Sequence, residues 1–78
     1  MPRFYFNLRD DLVIDDEEGM ELPDLPAARQ YALFNARSIA AENVQKGHLN
    51  LSHRIEIADE SGHVLDVVEF SDAVKVAR

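Results

Sequence analysis

The sequence contains no cysteine, and it has only three glycines and three prolines among its 78 residues. Without cysteine the chain forms no disulfide, no thiolate metal site and no thiol nucleophile. No run approaches the roughly eighteen apolar residues of a membrane-spanning helix. The opening Met1-Pro2-Arg3 leads into a strand pattern rather than a signal peptide. We therefore expect a cytoplasmic protein without a membrane partner.

The remaining nucleophiles and glycines are poorly placed for catalysis. The hydroxyl side chains other than tyrosine are those of four serines, and none lies in a G-x-S-x-G turn. The glycines stand alone, so no glycine-rich loop cradles a phosphate. Carboxylates are abundant, but so short a chain offers no deep pocket that would raise the pKa of one of them. We expect no enzymatic activity, no catalytic residue and no cofactor.

The net charge of −7 is unevenly spread. Residues 1–24 carry eight acids against two arginines (−6), residues 25–47 carry three bases against one acid (+2), and residues 48–78 carry six acids against three bases (−3). Phosphate backbones repel such a chain. The aromatic run Phe4-Tyr5-Phe6, with Arg3 and Arg9, resembles a small stacking platform for bases, but the core needs most of these rings. We expect no nucleic-acid partner.

One amphipathic helix is predicted over about residues 24–46. Asp24 suits the N-cap, Pro26 falls in the first turn, and Gly47 suits the left-handed position after the C-cap. At about 100° per residue one stripe of the helix is predicted to face a sheet. Its members are Leu25, Ala28, Ala32, Ala36, Ile39 and Asn43, widened by Leu33, Ala40 and Val44. Phe34 points away from this stripe, and Tyr31 lies beside Phe34.

Short segments with period-two alternation flank the helix and predict four strands. They are Arg3–Leu8, Leu12–Ile14, Arg54–Ala58 and Val64–Phe70. The fold class is therefore α+β: a single domain over residues 1–78, with a two-layer ββαββ architecture and a four-stranded, mostly antiparallel sheet covered on one face by one helix. Because the last strand is apolar on both faces, the strand order 2-1-4-3, in which it is central, is predicted.

A single helix leaves the other face of the sheet uncovered. Small domains have little stability to spare, roughly 3–5 kcal/mol unless they oligomerise. We therefore predict a non-catalytic protein–protein interaction or homodimerising module, which forms a homodimer or binds an unidentified protein partner. The predicted partner contacts are Tyr5, Tyr31, Phe34, Leu65 and Val67.

The acidic loop 15–21 carries an alternative function, weak binding of a divalent cation or a small ligand. Its candidate oxygen ligands are Asp15, Asp16, Glu17 and Glu18. An EF-hand is excluded, because placing Gly19 at the sixth loop position puts Ile14 at the first and Leu25 at the twelfth. The three histidines, at 48, 53 and 63, have no recognised ligand spacing and are interpreted as polar loop residues. We expect a solvated loop without a metal.

Several motifs along the chain are similar to those of one protein family. The chain opens with Met1-Pro2-Arg3-Phe4-Tyr5-Phe6 and continues with Asp16-Glu17-Glu18-Gly19-Met20-Glu21-Leu22-Pro23-Asp24. It then has Ala27-Ala28-Arg29, the segment 54–65, and Phe70-x-Asp72-Ala73-Val74. In these motifs it resembles the short proteins, known mainly from alphaproteobacteria, that are grouped as a domain of unknown function. The resemblance implies a single-domain intracellular protein and implies no particular activity.

Overall fold

The computed structural model describes residues 1–77. Its elements follow one another as β1 (Arg3–Arg9), β2 (Val13–Ile14), β3 (Met20–Glu21), α1 (Leu25–Gln45), β4 (Arg54–Ala58), β5 (Val64–Glu69) and α2 (Phe70–Ala73). The predicted α+β class is confirmed: one long helix lies over an antiparallel sheet. The short strand β3 falls inside the predicted acidic loop and was not foreseen as a strand.

The strands are arranged in the order β2-β1-β4-β5, and β3 pairs with the same edge of β1 as β2 does. In the register between the two central strands, Phe6 lies opposite Ile57. Ile55 of β4 in turn lies opposite Val68 of β5. These apolar pairs face α1 and form the floor of the core.

The predicted order 2-1-4-3 is wrong. It counts the four predicted strands, so its third strand is the observed β4 and its fourth is the observed β5. In the structure β4 is central and β5 lies at the edge of the sheet. The two apolar faces of β5 differ in how far they are buried. Val68 is fully buried against the helix, whereas Leu65 and Val67 remain 44% and 37% exposed. The side chains Ile57 and Ala58 of β4 are completely enclosed instead. A strand that is apolar on both sides is therefore compatible with an edge position when only one of its faces is covered.

The free edge of β5 is occupied by carboxylates from its own chain. The Val67 amide donates to Oδ1 of Asp66 at 2.8 Å, and the Glu69 amide donates to Oδ2 of Asp72 at 3.0 Å. These amides alternate with those that face β4, so they point away from the sheet. Their satisfaction by side chains explains why β5 needs no neighbouring strand.

Helix α1 begins and ends as its sequence predicts. Oδ1 of Asp24 accepts a hydrogen bond from the Ala27 amide at 3.0 Å, which caps the N-terminus. At the other end Gly47 has a φ of +92°, and its amide donates to the Val44 carbonyl at 3.0 Å. The chain thus leaves the helix in a Schellman turn.

Alanines allow the helix to lie close to the sheet. Ala28, Ala32, Ala36 and Ala40 are buried along one stripe. Phe70, Ile57 and Val68 are the largest fully buried side chains beneath them. The predicted stripe is too wide at its C-terminal end, since Val44 is 57% exposed. Val44 borders a surface groove there instead of the core.

The chain passes directly from β5 into the short helix α2. The Arg37 side chain fastens it to α1 by donating from Nε to the Ala73 carbonyl at 2.8 Å. Phe70 and Ala73 of this turn are buried in the core. Within residues 1–77, no helix combines the length and apolarity needed to cross a membrane.

Candidate functional site

The uncovered face of the sheet is charged at its centre. Arg9 of β1 forms ion pairs with Glu56 of β4 (Nε to Oε1, 3.1 Å) and with Asp15 (Nη2 to Oδ1, 2.9 Å). Arg54 lies beside the same glutamate, with 3.8 Å between Nε and Oε2. Sequence alternation predicted an apolar surface here, but these ion pairs make the middle of the face polar. Only one end of it is apolar.

That apolar end lies where β1, β4 and β5 run side by side. Tyr5 pairs with Ala58, and Ala58 pairs with Val64. Val67 lies in the next row, opposite Glu56. A register shift at Ile57/Ala58 leaves the neighbouring Leu65 without a partner in the β4 register. The structure therefore brings Tyr5 and Leu65 to the same end of the sheet, and it places Val67 in the adjoining central row opposite Glu56.

A groove of about 440 Å³ is open on this face. Acidic side chains of two loops border it, the loop after β2 and the turn between β4 and β5. Its lining residues are Tyr5, Asn7, Arg9, Asp15, Asp16, Ala58, Asp59, Glu60 and Gly62. Four carboxylates face one guanidinium here, so the lining has a net charge of −3.

Asp16 is engaged by the backbone of its own domain. Its Oδ1 accepts from the Glu18 and Gly19 amides, each at 3.1 Å, and its Oδ2 accepts from the Phe6 amide at 3.2 Å. The Asp16 amide donates to Oδ1 of Asn7 at 2.9 Å. Partial burial raises the pKa of Asp16, but the three amide donors together outweigh this effect and the net pKa is lowered. Asp16 thereby closes the edge of β1 between β2 and β3.

The structure explains why the acidic motif has a glycine at position 19. Its φ is +69°, and a Cβ added there would lie 2.9 Å from both Cγ of Arg3 and the Phe4 carbonyl oxygen. Arg3 also donates from Nη1 to the Glu18 carbonyl at 2.8 Å. Residues of the N-terminal motif and of the acidic motif therefore pack against each other. We call this region, formed by Arg3, Phe4, Glu18 and Gly19, the packed corner.

The other candidate cation ligands do not converge with Asp16 on one point. Asp15 pairs with Arg9, and Glu17 and Glu18 are exposed. In the described part of the chain, 1–77, no three side chains of histidine, aspartate or glutamate form a group that could hold a metal ion.

His53 is the one histidine whose predicted setting is wrong. It is 8% exposed, and its ring packs edge-on against Phe70 with 5.7 Å between centroids. Neither ring nitrogen has a hydrogen-bond partner within the described chain, and Oδ1 of Asp11 lies 3.7 Å from Nε2. Its position just before the central strand β4, beside the apolar Leu51, was the available sequence signal.

The predicted aromatic contacts of the helix lie in different environments. The Tyr31 ring meets Phe6 edge-on at 4.9 Å, so it is half-buried between helix and sheet. Phe34 is 65% exposed on the outer side of α1. Tyr31 thus supports the core packing, whereas Phe34 is free to contact another molecule.

A second surface, not foreseen from the sequence, lies at the C-terminal end of α1. A groove of about 350 Å³ there is lined almost entirely by carbon atoms. We call it the helix-end patch, formed by Arg37, Ala40, Ala41, Val44, Leu49 and Val74. The available signal was the pair Val44 and Leu49, two apolar residues on either side of the glycine that ends the helix.

Comparison with known families gives a match over most of the chain. A family model described as "Domain of unknown function (DUF6894)" matches residues 3–71. The chain belongs to the DUF6894 family. The match extends from the first strand into α2, so it includes the packed corner, the helix and both surfaces except Val74 of the helix-end patch. No curated protein and no solved structure matches the chain.

Proposed function

We propose that this DUF6894 protein is a non-catalytic, cytoplasmic interaction module that forms a homodimer through the helix-end patch. The observation that carries the proposal is the apolar groove between α1, Leu49 and Val74, which opens to solvent beside the exposed Val44. Contiguous exposed apolar surface of this kind marks interaction sites on small soluble domains. Phe34 and Ala41 lie on the same side of α1 and extend the apolar surface toward the middle of the helix.

Charge favours this end of the molecule for contact between two copies. Residues 25–47 carry a net charge of +2, whereas residues 1–24 carry −6. A dimer formed through the helix-end patch keeps the acidic loops away from the interface. The small side chain of the exposed Ala41 would allow a second helix to approach closely, since it ends at Cβ.

The test compares a charge placed in the patch with a charge placed elsewhere. Val44→Glu and Val13→Glu introduce the same carboxylate at exposed valines, one in the patch and one on β2. Size-exclusion chromatography with light scattering should give a dimer for the natural chain and for Val13→Glu, and a monomer for Val44→Glu. Ala41→Glu should act like Val44→Glu, and circular dichroism should show all variants folded.

Two results would contradict the proposal. One is a natural chain that stays monomeric up to millimolar concentration. The other is an effect of Val13→Glu on the dimer as large as that of Val44→Glu. The Phe34→Ser variant then asks how far the interface extends along the helix, because Phe34 lies about one turn before Arg37 of the patch.

The alternative function, weak binding of a divalent cation or small ligand by loop 15–21, has less support. Three backbone amides already occupy the carboxylate of Asp16. It stays a prediction that NMR can check by titrating Ca²⁺, Mg²⁺ and Zn²⁺ while the amide shifts of Asp15 to Glu21 are followed. The absence of a saturable shift would exclude it.

A further inference from the structure

We propose that the uncovered sheet face binds an extended, cationic segment of a partner protein. The binding surface would be the groove of about 440 Å³ together with the apolar end of the face. This is a second surface, at a different place from the helix-end patch, and its occupant is different in kind. The proposal follows from charge complementarity, from the apolar row beside the groove and from the state of the sheet edge.

The acidic lining of the groove favours a positively charged ligand. Asp15 and Asp16 border it on one side, and Asp59 and Glu60 border it on the other. Arg9 is the one cation in the lining, and Asp15 and Glu56 already neutralise it through two ion pairs. Asp16 is engaged by three backbone amides, so a lysine or arginine side chain entering the groove would meet chiefly Asp59 and Glu60. The net charge of −3 on the lining favours association with a cationic partner.

The apolar residues next to the groove would receive the remaining side chains of the segment. Tyr5 and Val64 flank the buried Ala58 in one cross-strand row, and Val67 lies in the row beside it, so Tyr5, Val64 and Val67 supply the accessible apolar area. The Tyr5 ring borders the acidic groove, where a cation can also interact with its face. A segment in which basic and apolar residues alternate matches this arrangement, because each type of side chain finds its own kind of surface.

The state of the β5 edge indicates how the segment lies. The outward amides of Val67 and Glu69 are occupied by Asp66 and Asp72, so a further strand would have to displace these carboxylates to pair there. The segment is therefore expected on the face of the sheet rather than beside its edge.

A second copy of this chain fits the face poorly. Apposing two copies here would bring two linings of charge −3 toward each other, and like charges across an interface are unfavourable. A nucleic acid is repelled for the same reason. A basic protein segment satisfies both the charge and the apolar row.

The experiment uses the full chain labelled with ¹⁵N and a synthetic peptide of five Lys-Val repeats. Amide shifts should saturate on Tyr5, Asn7, Ala58 and Gly62 and leave the helix-end patch unchanged. A peptide of five Glu-Val repeats is the matched control and should not bind. Raising the salt concentration should weaken binding of the lysine peptide, because exposed charges are screened.

Two charge-reversal variants test whether the carboxylates of the groove are responsible for peptide binding. Glu60→Lys reverses a groove carboxylate, and Glu42→Lys makes the same change on an exposed position of α1 outside the groove. We expect Glu60→Lys to weaken peptide binding by about fivefold or more, the scale of an exposed ion pair that becomes a repulsion. Glu42→Lys should change it by less than about twofold, as expected for a distant, screened charge.

Any of four results would overturn the inference: no saturable binding, equal binding of the glutamate peptide, equal weakening by Glu42→Lys, or dilution-dependent shifts showing that a second copy occupies the face. The same titration on Val44→Glu keeps the two proposals separate. If the homodimer does not exist, the peptide still binds to the groove. If the peptide does not bind to the groove, that result leaves the homodimer proposed for the helix-end patch untouched.

Discussion

Gly19 connects the two N-terminal motifs through the space it leaves free. A side chain there would have to coexist with a positive φ and with the Phe4 carbonyl oxygen at 2.9 Å. Because that neighbour is backbone, it has little freedom to move away. The acidic motif therefore contains its glycine for steric reasons in the corner between β1 and β3.

We predict that Gly19→Ala lowers the free energy of unfolding by about 2 kcal/mol or more, through the left-handed backbone and the clash together. Gly62→Ala is the matched control, since Gly62 has a φ of +87° but nothing within 4 Å of an added Cβ. Urea denaturation followed by circular dichroism measures both. Equal losses in the two variants would show that the close contact with Phe4 contributes nothing.

Asp16 makes stability depend on pH. Its pKa in the folded chain is lowered from the ordinary value of 3.8, because the amides of Gly19, Phe6 and Glu18 outweigh the opposing effect of burial. A lowered pKa in the folded state means that the carboxylate stabilises the fold above its unfolded-state pKa. This contribution disappears as the pH falls through the folded-state pKa. The pKa of Asp59 is also lowered, chiefly by the hydrogen bond from the His63 amide. This carboxylate therefore changes the stability with pH in the same direction as Asp16 does.

We predict that Asp16→Asn destabilises the fold by about 1–2 kcal/mol at pH 7, the scale of lost hydrogen bonds to a charged group. The difference from the natural chain should shrink as the pH falls below 3.8 and through the lowered folded-state pKa, where the carboxylate becomes protonated. Urea unfolding at a series of pH values provides the measurement. A difference that is the same at neutral pH and in acid that protonates the carboxylate would mean that the charge of Asp16 has no part in the effect.

At the scale of elements, β5 shows how an edge strand is protected. Asp66 serves two purposes, since its Oδ1 accepts from the Val67 amide and its Oδ2 accepts from Nη1 of Arg29 at 3.0 Å. One carboxylate thus covers a free backbone donor and attaches the edge strand to α1. Asp72 covers the next outward amide, that of Glu69, at the start of α2.

The variants Arg29→Gln and Asp66→Ala separate these two purposes. Both remove the ion pair, whose loss should cost at most about 1 kcal/mol because the pair is partly exposed. Only Asp66→Ala also frees the Val67 amide at the edge. We therefore expect Asp66→Ala, but not Arg29→Gln, to increase aggregation measured by light scattering at high concentration. Equal aggregation of the two variants would mean that the side-chain cap does not protect the edge.

At the scale of the whole molecule, charge and apolar surface are separated. The acidic loops border the uncovered sheet face, while the helix segment 25–47 is weakly basic and ends in an apolar groove. Two surfaces of such different character suit two occupants, a second copy at the helix end and a cationic segment on the sheet. Under both proposals, this small domain would contribute to an assembly by binding on two of its sides.

Much of the fold could be read from local sequence. Asp24 and Gly47 mark the ends of α1, the alanine stripe marks its buried face, and period-two alternation marks β1, β4 and β5. These features depend on hydrogen bonds and periodicities within a few residues of each other. The α+β class and the bounds of α1 were therefore predictable.

Tertiary structure decided what depends on residues far apart in the chain. β5 lies at the edge of the sheet, where the Asp66 and Asp72 carboxylates occupy two of its outward amides, and alternation alone carries no information about these contacts. The polar centre of the uncovered face arises because Arg9 meets Glu56 across two strands. The helix-end patch exists because Val44, Leu49 and Val74 converge. Local pattern thus determined which elements form, while long-range pairing determined which surfaces remain open.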